Sequence, residues 1–139
     1  MAINVTKSKI MFVTSKHNQS IIPQDFPGIS YKDSYISVSN SEKLLGVTID
    51  NTLSWSTQVD SVINKCNTYL YFLSRIKSFL SVENLTLFYN VYIWAHFDYG
   101  CFIWGNCNTG LKDRLVTFQT RAARLILDLD FFNSFCSLV

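Results

Sequence analysis

The hydrophobic period changes once along this chain, and the change fixes what each part can fold into. From Trp55 onward, apolar residues recur every seven positions at Val59, Cys66, Leu73 and Leu80, with Val62, Tyr69 and Ile76 three further on. Those spacings bring side chains onto one face of a 3.6-residue turn, so a helix is expected from about Ser56 to Phe79. Ser81 is placed to cap a second helix through Leu85, Phe88, Val91, Tyr92 and Ala95, ending near Gly100. A third follows Thr109 and Gly110, with Leu111, Leu115, Phe118, Ala122 and Leu125 at spacings of four and three.

Before Trp55 the pattern is that of strands and turns. Ile10-Met11-Phe12-Val13 is a short apolar run of strand type. Ile29, Tyr31, Tyr35, Ile36 and Val38 fall in two segments divided by Lys32-Asp33, as in a hairpin. Leu44 to Ile49 forms a further strand, in which Gly46 allows a bulge or a close backbone approach before Asp50-Asn51 turns the chain. The expected class is α+β: short antiparallel strands in the N-terminal third, then a helical bundle. By segment, residues 1–50 carry the strands, 51–127 the bundle and its continuation, and 128–139 a tail.

The 139 residues are the length of one domain and, at 48% hydrophobic, enough for a genuine core. With 11 Phe, 7 Tyr and 3 Trp, either that core is rich in rings or the chain is a piece of something larger that covers them. A net charge of +2 does not announce a nucleic-acid binder, yet residues 65–124 hold seven basic against three acidic side chains. The helical half is the basic half. Cys66, Cys101, Cys107 and Cys136 are widely spaced, with neither a Cys-x-x-Cys nor a nearby His pair. A reducing setting inside the cell, nuclear or cytoplasmic, is therefore expected, with no secretion signal and no membrane span.

No glycine-rich phosphate loop, His-Glu-x-x-His or Gly-x-Ser-x-Gly occurs. His96-Phe97-Asp98 is better read as structural, with His96 bonding a carbonyl or capping its helix, than as an acid/base pair. Asp128-Leu129-Asp130 is better read as solvated than as a metal site. Trp55, just ahead of a helix, and Trp104, in an apolar run, are expected to pack rather than to stack on bases.

Several runs together resemble the segment that follows the catalytic aspartates in reverse transcriptases of non-LTR retrotransposons, the jockey-like group. They are Asn4-Val5-Thr6-Lys7-Ser8-Lys9-Ile10-Met11, Lys43-Leu44-Leu45-Gly46-Val47-Thr48-Ile49-Asp50 and Leu53-Ser54-Trp55. Downstream, Leu73-Ser74-Arg75-Ile76, Leu87-Phe88-Tyr89, His96-Phe97-Asp98-Tyr99-Gly100, Ile103-Trp104-Gly105-Asn106-Cys107 and Phe118-Gln119-Thr120-Arg121-Ala122-Ala123-Arg124-Leu125-Ile126 are similar to that family's thumb and its continuation. The resemblance covers residues 3–127 in order. Trp94-Ala95 departs from the family, which usually has a proline ahead of the His-x-Asp-Tyr run.

The resemblance implies the palm end and thumb of an RNA-directed DNA polymerase, inactive alone. The family holds magnesium on an aromatic-x-Asp-Asp pair and an earlier aspartate, none of which is in this sequence, so no cofactor of its own is expected. Lys7 or Lys9 would neutralise triphosphate charge. The strand with Gly46 would be the primer grip, and Lys65, Arg75 and Lys77 would contact phosphates of a primer-template duplex of RNA and DNA. The missing palm and fingers would be its other partners, with neither a membrane nor a small-molecule substrate. Without that palm, Met11, Val13, Leu45 and Val47 would be open on at least one side. The competing reading is a helical protein-interaction module, or a remnant without function.

Overall fold

The computed structural model describes residues 4–21, 26–31 and 34–128. They belong to two compact units, residues 1–57 and residues 58–139. The class is α+β, two short antiparallel sheets followed by helices.

In the first unit, strands β1 (Ile29–Tyr31) and β2 (Ser34–Ile36) pair antiparallel with Ile29 opposite Ile36. This is the expected hairpin, although its Lys32-Asp33 turn lies outside the described residues. The run Ile10 to Val13 is not a strand. Ile10 makes a single parallel bridge to Val38, donating its N–H to the Ser37 carbonyl at 3.1 Å and accepting from the Ser39 N–H at 2.8 Å. An apolar run becomes a strand only where a neighbour offers a matching ladder, and here the ladder ends after one rung.

Leu44 to Ile49 is likewise not one strand but the heart of a hairpin. Strand β3 (Ser41–Leu44) pairs antiparallel with β4 (Val47–Asp50), Ser41 opposite Asp50 and Leu44 opposite Val47. The two residues between, Leu45 and Gly46, have φ of +48° and +86°. Positive φ at both central positions is what a tight two-residue hairpin turn requires, because it matches the right-handed twist of the flanking strands. Gly46 adopts it freely; Leu45 does so at a steric cost. Of the four residues expected to be open, Val47 is buried, Met11 is half-buried, and Val13 and Leu45 are exposed.

The second unit is helical. Helix α1 (Ser56–Ile76), which begins at the end of the first unit, runs into a 3-10 turn over Lys77–Phe79, close to the expected bounds. Within the second unit α1 buries Val59, Val62, Cys66, Leu70 and Leu73, while Tyr69 and Ile76 of the expected stripe are half-buried. Helix α2 (Val82–Phe88) starts where the sequence places it, with the Ser81 side chain accepting from the Asn84 N–H. It continues through a π-helical segment, Tyr89–Trp94, into α3 (Ala95–Asp98). The wider π turn moves the inward face by one position. Leu85, Ile93 and Phe97 are buried, whereas Val91, Tyr92 and Ala95 of the expected stripe are exposed.

Gly100, at φ +67°, turns the chain into α4 (Cys101–Trp104). Asn108 then caps α5 (Thr109–Leu127), its side-chain oxygen accepting from the Leu111 N–H at 2.9 Å. Helix α5 buries Leu111, Phe118, Ala122 and Ile126, and the Phe118 ring lies 5.5 Å from Phe97. Trp104 is buried as expected, its indole N–H donating to the Tyr99 carbonyl at 3.0 Å. His96 does not act as a cap; its ring stacks on Tyr69 at 5.6 Å. No helix among the described residues is long and apolar enough to cross a membrane.

Candidate nucleic-acid interface

The six candidates are Lys7, Lys9 and Gly46 in the first unit, and Lys65, Arg75 and Lys77 in the second. Lys7 ends a 3-10 turn over Val5–Lys7 and is exposed. Lys9 is exposed too, but its ammonium donates to the Ser37 hydroxyl at 2.8 Å, on the same segment that bridges Ile10. Gly46 lies at the tip of the β3–β4 hairpin, open to solvent.

The base of that hairpin is fastened by Asp50, which the sequence marks only as part of a turn. The Asp50 carboxylate accepts from the Thr52 N–H and hydroxyl at 3.0 and 2.6 Å, from the Ser54 N–H and hydroxyl at 3.0 Å each, and from the Trp55 N–H at 3.1 Å. Partial burial opposes the ionised form, but hydrogen bonds from Thr52 and Ser54 outweigh it and hold the pKa at about 2, below the ordinary 3.8. The signal was the spacing Asp50, Thr52, Ser54, in which one carboxylate can reach the backbone two and four residues on. Leu53 and Trp55 carry positive φ in this knot, and Trp55 is half-buried.

In the second unit the cations divide into paired and free. Lys77 binds the Asp128 carboxylate at 2.9 Å, and Arg114 binds Asp60 at 2.6 Å. In each pair the carboxylate offsets the positive potential of the cation beside it. Asp128 thus has a cation partner, while Asp130 lies outside the described residues. Lys65 is exposed on α1, and the Arg75 guanidinium stands over the Tyr71 ring, 5.7 Å from its centroid.

Two arginines that the charge count included but did not single out stand in a more defined setting. Arg121 and Arg124, three apart on α5, line an open groove of about 570 Å³ with Asn67, Leu70, Tyr71 and Ser74 of α1 and Leu125 of α5. Neither has a carboxylate partner among the described residues. Their sequence signal was the i, i+3 spacing opposite the buried Phe118, Ala122 and Ile126, which turns both outward.

No group of three His, Cys, Asp or Glu among the described residues could hold a metal ion, so those residues offer the magnesium of the resembled enzymes no fitting ligand set. Burial pushes the Cys66 thiol up to about 12 despite the nearby Lys65 charge, and that thiol donates to the Ile93 carbonyl at 3.8 Å. It is a structural, unreactive group. Burial also raises the Tyr89 phenol.

No protein-family model matches the chain, and no solved structure matches it at significance. The chain is 28% identical over 136 residues to a probable RNA-directed DNA polymerase from transposon X-element of Drosophila melanogaster. That likeness takes in 95% of this chain but spans only 14% of the relative's length. It supports a relationship to the retrotransposon reverse transcriptases that the motifs resemble.

Proposed function

We propose that this chain is the palm end and thumb of a non-LTR retrotransposon reverse transcriptase, without the carboxylates of the catalytic centre, and that it grips a primer-template duplex of RNA and DNA. The observation that carries this reading is the collinear likeness to a transposon polymerase across nearly the whole chain. The hairpin tip at Gly46 and the exposed Lys65 and Arg75 on α1 are consistent with contacts that position a backbone without reading sequence. Lys77, held by Asp128, contributes less than its charge suggests.

The test is binding to a DNA–RNA hybrid as a function of salt. Replacing Lys65 and Arg75 with Glu should weaken binding and flatten the log–log salt slope by roughly 0.9 per lost phosphate contact. Primer extension with magnesium or manganese should be absent in both proteins; extension that survives repurification would overturn the reading.

A helical protein-interaction module is favoured by a different observation, the exposure of Phe79, Leu87 and Phe102 on the second unit. An unchanged salt slope in the charge-reversed variant would put that reading ahead.

A further inference from the structure

The groove between α1 and α5 brings together three features of which the duplex reading uses only Arg75 at the rim. Arg121 and Arg124 supply two guanidinium groups on one face of α5, within reach of successive phosphates. Tyr71 supplies an aromatic ring that is 58% exposed, with Arg75 stacked on it. Asn67 and Ser74 supply an amide and a hydroxyl along the same wall. Ser74 donates its own proton to the Tyr71 carbonyl at 2.7 Å, which leaves its oxygen free to accept.

We infer that this groove holds a single, unpaired nucleic-acid strand, with Arg121 and Arg124 on its phosphates and an unstacked base against Tyr71. The inference rests on the reading above only in taking nucleic acid as the anionic partner. Charge selects the class of occupant: two guanidinium groups lining a recess, with no carboxylate partner among the described residues, favour a polyanion, and their planar forks suit phosphate oxygens. The ring selects between strand and duplex. Bases inside a duplex have both faces covered by their neighbours, so an aromatic side chain in a groove wall can stack only on a base that is unpaired. The volume, about 570 Å³, lies within the range of about 300–1,000 Å³ usual for ligand sites, and the recess is open to solvent.

Fluorescence anisotropy of the full chain decides it, using about ten-nucleotide oligouridine and oligothymidine strands and, in parallel, a blunt DNA–RNA hybrid. Wild type should bind the single strands at low salt, the RNA and DNA arms showing whether the sugar matters. R121Q/R124Q should lose at least tenfold in affinity and about 1.4 in salt slope, two contacts at about 0.7 each on a single strand. Tyr71→Ala should lose about tenfold while Tyr71→Phe, which keeps the ring, should bind as wild type. All three positions are exposed, so circular dichroism melts of the variants should overlay. Failure to bind either strand, wild-type binding by R121Q/R124Q or by Tyr71→Ala, or equally good capture of a polyglutamate peptide would each overturn the inference. Loss of hybrid binding alone would count against the duplex reading and leave the groove standing.

Discussion

The two units of this chain are held together by different physics. Among the described residues of the first, Val47 alone is fully buried, and order comes from two short ladders, one bridge and the ring of donors around Asp50. The second buries a continuous set from Val59 on α1 to Ile126 on α5, with fully enclosed residues at Val59, Cys66, Leu73 and Ile93. Hydrogen bonds exchange for water with little net gain, about 0.5–1.5 kcal/mol each, whereas each enclosed aliphatic side chain contributes about 1.5–3 kcal/mol. The first unit should therefore open locally at low cost, and the second should set the global stability.

Substitutions should separate the two. The largest effect belongs to the enclosed set: Leu73→Ala should cost about 2–5 kcal/mol, read as a lowered thermal midpoint. A shift no larger than that of a surface change would show that the helices do not share one core. Next comes Asp50→Ala, expected to cost about 1–2 kcal/mol by removing a multiply bonded capping carboxylate, and to show chiefly as faster amide exchange at Thr52, Ser54 and Trp55. Because its folded pKa lies below the ordinary value, the Asp50 contribution is whole above about 3.8 and disappears as pH falls through about 2. Wild type and Asp50→Asn should converge in that acid window while the Leu73→Ala difference persists. Smallest, and of opposite sign, is Leu45→Asn. It relieves a branched side chain of positive φ and should stabilise the β3–β4 hairpin by about 1 kcal/mol.

Legibility followed the same division. A repeating apolar face is written in the sequence at every turn, so the bounds of α1 and the Ser81 cap could be read directly. The Ile10 to Val13 run could not, since a strand exists only with a partner and periodicity does not name one. The β3–β4 turn left a trace, a glycine between apolar pairs, but Leu45 in the left-handed region is a residue few rules would place there. At the candidate interface, the excess of positive charge was plain in residues 65–124. Which cations remain free was not, because Asp128 and Asp60 meet Lys77 and Arg114 from 51 and 54 residues away.

The π-helical turn at Tyr89–Trp94 also sets how this helix responds to changes in length. A regular helix advances about 100° per residue, so removing one residue from that turn could restore α geometry with every backbone bond intact. The rest of the helix would keep its facing, because the wide turn spreads about five residues over the arc that about four cover in an α-helix: Phe97 would still meet Phe118, and the change would fall on the turn itself, where Ile93 offers its carbonyl to the Cys66 thiol. A single-residue deletion there should therefore be far milder than one in the middle of α1, where no wide turn absorbs it and every buried residue downstream would rotate by about 100°.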